Sequence, residues 1–315
     1  MTKCQNSIPS LVCLVGLPAS GKSTIAYNLA KENNYIIFSS DELRVELYGD
    51  INDQNHNHEL FIELHKRIKT ALKEGNNVIY DACNLKSKRR ISFLKELKNI
   101  PCRKECIIAA TPYEQCLRNN ASRDRHVPDY VIERMYKSFD TPYYYEGFDR
   151  VSIEYWKGSC NGSLLPMSWA LDHMDYNQNN PHHELTLGMH CINAFFWLYN
   201  NKLYSNASIR TIMHAVLIHD CGKPFCKTFK NNKGETTDIA HYYGHEHVGA
   251  YDSLFFTYVA GISSLFVSAL ISNHMKPWVW ERDNNEKMYN KYKKLWGDYF
   301  MECVMILHKA DKAAH

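Results

Sequence analysis

Charge of one sign is missing from this 315-residue chain: 37 basic against 34 acidic residues leave a formal net charge of +3. That balance neither demands nor excludes a nucleic-acid partner. The first ten residues, MTKCQNSIPS, have no apolar secretory core. Among 11 cysteines there is no tight CxxC pair and no small-domain spacing. Cys13, Cys83, Cys106 and Cys191 lie in apolar or motif-bearing segments, so buried free thiols in a reducing cytoplasm are expected. One uncharged stretch, Ser253–Ile271, approaches the length of a bilayer span. Gly261 followed by Ile262, Ser263 and Ser264 reads there as a turn and a new helix start. A buried helical pair is expected, and no membrane partner. Internal repeats and low-complexity tracts are also absent.

What is present is an ordinary globular composition, 45% hydrophobic and 23% charged, at a length of about two domains. Leu11–Val15, Tyr35–Phe38, Val78–Tyr80, Cys106–Ala110 and Val151–Tyr155 read as strands. Helical patterns lie between them at Ser23–Lys31, Glu59–Lys73 and Arg89–Leu97. Strands too apolar to have a wet face imply a parallel sheet covered by helices on both sides. A further helix is expected from Pro128 through Phe139. The polar, glycine-containing stretch 158–182 reads as a connection. Beyond it, Leu187–Leu198, Ile209–Ile218, His245–Phe256, Ser264–Ile271 and Tyr299–Lys312 are helical patterns and strand signals nearly vanish. The expected organisation is therefore an α/β domain over 1–157 and an all-α domain over 183–315.

Gly16-Leu17-Pro18-Ala19-Ser20-Gly21-Lys22-Ser23-Thr24 follows the first strand and opens a helix, the context a phosphate-binding loop requires. Its backbone N–H groups can wrap the phosphates of ATP, with Lys22 on the β/γ-phosphates and Ser23 on Mg²⁺. Asp41, in SSDELR, can accept a proton from an attacking hydroxyl. Arg44, three residues on, can bind an acceptor phosphate. Asp81 either holds the Mg²⁺ water shell or is a simple turn aspartate. Arg123 and Arg125 either close over the transferring phosphoryl or are surface arginines. The basic run through Lys86, Lys88, Arg89 and Arg90 is either a track for phosphates or a solvated helix face. No aromatic-interleaved RNA-binding motif accompanies it.

GLPASGKST, SSDELR, NVIYDACNLKSKRR and ASRDRHVPDYVIERMYKSFDTP together resemble the kinase domain of bacteriophage-type RNA-repair polynucleotide 5′-kinases, over about residues 10–155. That resemblance implies an adenylate-kinase-like fold with a lid, and ATP-dependent phosphorylation of a 5′-hydroxyl end. It further implies Asp41 as general base and Arg44 on the acceptor's phosphate. Arg123 acts from the lid by the same resemblance, although spacing leaves Arg123 and Arg125 as alternatives.

In the second half, His190, His219-Asp220, His245, His274 and Asp311 follow one another at intervals of 29, 26, 29 and 37 residues. Each interval is long enough to bring a new helix back to one centre. Imidazole with carboxylate suits Mn, Fe, Co, Ni or Zn, and two adjacent ions can activate a water and clamp phosphoryl oxygens. The ordered set resembles the HD phosphohydrolase superfamily in its dinuclear form. That resemblance implies one ion on His190, His219, Asp220 and Asp311, and a second on His245 and His274 bridged by Asp220. Lys223 is then the electrostatic partner of the phosphate, and Glu246 either supports the metal ligands from behind or handles a proton. His182 and His183 either line the pocket or are linker polarity.

Both halves together read as an RNA end-healing enzyme. A 5′-OH kinase is joined to a hydrolase of 2′,3′-cyclic or 3′-terminal phosphates, with a separate RNA ligase acting afterwards. RNA versus DNA and homo-oligomerisation stay open. The alternative is a small-molecule nucleoside or nucleotide kinase fused to a nucleotide phosphohydrolase.

Overall fold

The computed structural model describes residues 8–158, 164–181, 184–201 and 209–314; His182 and His183 fall outside them. The chain forms two compact units, residues 1–132 with 142–157 and residues 133–141 with 158–315.

In the first unit, β1 (Ser10–Val15), β2 (Ile36–Ser39), β3 (Val78–Asp81), β4 (Arg103–Ala110) and β5 (Arg150–Tyr155) form one sheet in the order β2-β3-β1-β4-β5. Every pairing is parallel. The helices are α1 (Lys22–Asn33), α2 (Ser40–Tyr48), α3 (Asn57–Lys73), α4 (Ser87–Glu96) and α5 (Tyr113–Ala121), and α6 (Asp129–Tyr136) begins in this unit and ends in the second. Alternation along β1 and β3 decides the two faces. Val12, Leu14 and Ile79 pack with Ala26 and Leu29 of α1. Tyr80 meets the opposite layer, with ring centroids 5.2 Å from Phe93 of α4 and 5.6 Å from His65 of α3. A strand covered on both faces has no use for polar side chains, and β1 reads SLVCLV.

The second unit contains α7 (Pro166–Asp172), α8 (Leu187–Asn201), α9 (Ile209–Ile218), α10 (Lys223–Cys226), α11 (His245–Asp252), α12 (Ser264–Asn273), α13 (Met275–Arg282) and α14 (Glu286–Ala313). Gly297, at φ 75° and ψ 169°, breaks α14. The unit is largely helical but not wholly so: β6 (Thr228–Lys230) and β7 (Thr236–His241) form an antiparallel hairpin. The stretch 158–182 is also more than a connection, since Trp169 and Ala170 of α7 are buried. Residues 133–141 join this unit through Tyr136 and Phe139, whose rings lie 5.5 and 5.0 Å from that of Tyr251. Thr141 Oγ1 is 2.7 Å from Ser268 Oγ.

The uncharged stretch breaks as its sequence indicates. Ser263 caps α12 by accepting from Phe266 N at 3.2 Å, and no helix among the described residues is long and apolar enough to cross a membrane. Nine cysteines among the described residues are free thiols.

Candidate active sites

The first site gathers at the carboxyl ends of the parallel strands, where an open α/β sheet places its ligands. The phosphate loop leaves β1 and turns into α1 through Gly21 at φ 89°, a left-handed conformation that glycine adopts without strain. Ala19 is also left-handed at φ 62°; its carbonyl accepts from Asn119 Nδ2 at 3.1 Å, and that of Ser20 accepts from Thr111 Oγ1 at 2.9 Å. Gly16 N donates to Cys83 O at 3.2 Å. Lys22 is folded back onto the loop, donating to Leu17 O at 2.7 Å and Gly16 O at 3.1 Å. Ser23 Oγ donates to Asp81 Oδ2 at 2.8 Å, the pairing expected of a hydroxyl and a carboxylate that share one Mg²⁺. Burial pushes the Asp81 carboxyl up, against the opposing charge of Lys22 and the Ser23 hydrogen bond. Thr24 is exposed at the start of α1.

Beside it, Ser39 caps α2 by accepting from the N–H groups of Asp41 and Glu42, both at 3.3 Å. Asp41 is held by two arginines. Its Oδ1 accepts from Arg44 Nη1 at 3.0 Å and its Oδ2 from Arg125 Nη1 at 2.6 Å. Arg44 is buried and also donates to Asn57 Oδ1 at 2.9 Å. Of the two lid candidates, Arg125 reaches Asp41, while Arg123 is exposed on the same loop. Arg90 does not belong to a surface track. It is buried in a bidentate pair with Glu146, at 2.7 and 2.6 Å, and donates to Asn84 O and Leu85 O.

In the second unit the six sequence-predicted ligands converge from different helices. His190 comes from α8, His219 and Asp220 follow α9, His245 opens α11, His274 joins α12 to α13, and Asp311 is near the end of α14. They form two triads, His190/His219/Asp311 and Asp220/His245/His274, each with its ligand atoms within 4.8 Å of one another. In the first, His190 Nε2 lies 3.2 Å from His219 Nε2 and 3.0 Å from Asp311 Oδ1. In the second, His245 Nε2 lies 3.3 Å from both His274 Nε2 and Asp220 Oδ1. Asp220 faces both groups: Oδ2 is 3.4 Å from His219 Nε2, whereas Oδ1 is 3.8 Å from His274 Nε2. Gly222 makes the approach possible, because a Cβ there would meet His245 O at 2.2 Å.

The donor chemistry fits divalent ions. The Nδ1 atoms of His219, His245 and His274 lie 2.7–2.8 Å from the carbonyls of Val216, Tyr242 and Ile271. His190 Nδ1 is 3.3 Å from Ala314 O. Each ring therefore turns Nδ1 outward to a backbone carbonyl and Nε2 inward to the triads, the arrangement that orients histidine ligands. Asp220 and Asp311 are both buried, and Lys223 Nζ is 2.7 Å from Asp220 Oδ2. Imidazole nitrogens and carboxylate oxygens gathered in this way are a donor set for divalent ions. Burial alone would raise the Asp220 carboxyl, but Lys223 and His219 hold it well below the usual range. Burial likewise opposes a charged His219, yet Asp220 and Asp311 hold that imidazole well above its usual value. His274 is pushed down by burial.

Residues 11–142 match a family model described as AAA domain. The amino-terminal unit has a P-loop kinase-like fold. Among curated proteins, the L-seryl-tRNA(Sec) kinase of Methanococcus maripaludis is 30% identical over 143 residues, 42% of this chain and 53% of that protein. The chain thus spans about half the length of the curated relative it matches. Among solved structures, a chain of the Pnkp1/Rnl/Hen1 RNA repair complex is 24% identical, with 42% of this chain and 44% of that one covered and a TM-score of 0.35. A gluconokinase from Sinorhizobium meliloti 1021 is 14% identical, with 48% and 84% covered and a TM-score of 0.35.

Several contacts at these sites have little signal in the sequence. Trp278 Nε1 donates to Asp311 Oδ2 at 2.8 Å, and only its place one helical turn after His274 hints at it. Asn57 steadies Arg44 from 13 residues away, and Gln178 reaches Lys223 from 45 away. No motif marks either. His247 Nδ1 lies 3.1 Å from Phe139 O rather than with the triads. His241 stacks on Tyr243 with ring centroids 5.3 Å apart. Glu246 lies near the second triad, its Oε2 3.7 Å from His245 Nδ1.

Proposed function

We propose that the chain is a nucleic-acid end-healing enzyme that phosphorylates a 5′-hydroxyl and hydrolyses a 2′,3′-cyclic or 3′-terminal phosphate. The observation that carries the reading is Asp220, one buried carboxylate presenting one oxygen to each of two histidine-containing triads.

For the kinase reaction, the loop amides and Lys22 would hold the ATP phosphates, and Ser23 with Asp81 would hold Mg²⁺. Asp41 takes the proton of the acceptor hydroxyl as that oxygen forms its bond to the γ-phosphorus and the bond to ADP breaks. Arg44 binds the acceptor's phosphate. Arg125 leaves Asp41 for the transferring phosphoryl, which frees the carboxylate when the nucleotide is in place. In the second half, His190, His219, Asp220 and Asp311 would hold one divalent ion, and His245, His274 and Asp220 another. Such ions supply an activated water and a clamp on the phosphoryl oxygens. The imidazoles stay oriented through their Nδ1–carbonyl contacts, and Lys223 offsets the phosphate charge. A second reading, favoured by the identity with the L-seryl-tRNA(Sec) kinase, gives the first site a small or tRNA-borne hydroxyl acceptor and the second a nucleotide substrate.

One RNA carrying both a 5′-OH and a 2′,3′-cyclic phosphate separates the readings. With Mg-ATP and Mn²⁺, Ni²⁺ or Co²⁺, the wild type labels the 5′ end and opens the cyclic end. Lys22→Ala loses only the first activity and Asp220→Ala only the second. Label appearing on free nucleosides and never on the RNA would reject the polynucleotide acceptor.

A further inference from the structure

The polar run Asn177–Asn180 is fastened to the second site by its own hydrogen bonds. Asn179 O accepts from Ala240 N at 2.8 Å, and Asn180 Nδ2 donates to Ala240 O at 3.0 Å. Lys227 Nζ donates to Asn177 O at 2.7 Å and Asn179 Oδ1 at 2.6 Å. Between these anchors Gln178 points inward and is 2% exposed. Its backbone carbonyl accepts from Tyr242 Oη, and its Nε2 donates to Leu185 O at 3.0 Å. That second bond fixes which end of the amide faces Lys223. Its Oε1 accepts from Lys223 Nζ at 2.8 Å.

Lys223 therefore sits between a charged and a neutral acceptor, Asp220 Oδ2 at 2.7 Å and Gln178 Oε1 at 2.8 Å. The neutral amide oxygen of Gln178 adds a second fixed acceptor that orients the buried ammonium without cancelling its charge. Tyr242 closes the arrangement: its ring lies 5.5 Å from Lys223 Nζ, and its carbonyl faces His245 Nδ1 at 2.8 Å.

We infer that Gln178 is a positioning residue that holds the Lys223 ammonium where a phosphoryl group bound at the two triads meets it. The inference rests on the metallophosphohydrolase reading given above. Gln178 touches neither triad, so it acts on phosphate affinity through Lys223 and leaves ion uptake alone.

Calorimetric titration of the Mn²⁺-loaded full chain with inorganic phosphate tests this, with metal content measured on every sample. Gln178→Met is expected to keep its metal and to bind phosphate about tenfold more weakly, the scale of one charged hydrogen bond. In a Lys223→Met background the same substitution is expected to change affinity less than about twofold, because a residue acting through another loses its effect with it. Should Gln178→Met lose metal, Gln178→Asn repeats the comparison with an amide one methylene too short to reach Lys223. Unchanged phosphate affinity in a loaded variant, or an equal loss in both backgrounds, overturns the positioning role alone. A wild-type chain that takes up no divalent ion overturns the metal reading and this inference together.

Discussion

Asp41 and Asp220 are both carboxylates held by cations, and their settings are opposite. The Asp41 side chain is 50% exposed, between two arginines delivered by α2 and a loop. That of Asp220 is 4% exposed, among four imidazoles and a lysine. The solvent-accessible pair of Asp41 with Arg125 exchanges partners at little cost, since the net attraction of such a pair is about 0–1 kcal/mol. A buried one does not, since separating it leaves charge in a low-dielectric interior. The first site is built to be rearranged by its substrates, and the second is preset before anything binds.

The sharpest way to break that contrast is Asp220→Asn. It keeps the shape, removes the shared charge, and is expected to abolish two-ion binding and cut phosphohydrolysis at least 10³-fold. Kinase labelling should stay within about twofold of wild type. Metal analysis alongside both assays checks this, and equal loss of the two activities would contradict independent sites.

Next in size is Arg90→Met, which strands the buried Glu146 carboxylate. A stability loss of about 3–5 kcal/mol is expected by denaturant unfolding, well above that of any exposed pair in the same unit. Arg125→Ala should lower kinase kcat about 10²-fold, while Arg123→Ala, exposed on the same loop, changes it less than about threefold. Reversed magnitudes would return the lid role to Arg123.

The smallest expected effect concerns pH. Asp252, partly buried beside the Tyr136 hydroxyl, is pushed up to about 7 by burial. In the unfolded chain it ionises near 4. Between those values the folded state binds the extra proton, so this group's contribution to stability falls as pH rises and is level above about 7. Asp252→Asn is expected to flatten that slope and gain on the order of 1 kcal/mol at pH 8 relative to pH 5, measured by urea midpoints.

The five strands and the phosphate loop were legible because a covered parallel strand must be apolar throughout and a phosphate loop is contiguous. Spacing also brought out His190, His219, Asp220, His245, His274 and Asp311, since helix-length intervals return the chain to one place. Fine positioning was hidden wherever the partner is distant and chemically ordinary. Glu146 withdraws Arg90 from a basic run, Asn57 steadies Arg44, and Trp278 holds Asp311. The hairpin of β6 and β7 was missed because its strands are short and mostly polar. The 158–182 stretch read as a connection because its buried contacts come from Trp169, Ala170 and Gln178, which follow no helical period.

Residues 133–141 have a consequence for inheritance. The segment belongs to the second unit, although the family match runs on to residue 142. A gene cut after codon 157 would leave the carboxyl-terminal product without Tyr136, Phe139 and Thr141, uncovering the Tyr251 ring and removing one partner of Ser268. The two units cannot be parted by one clean break, so recombination at that junction would tend to transmit them as a pair.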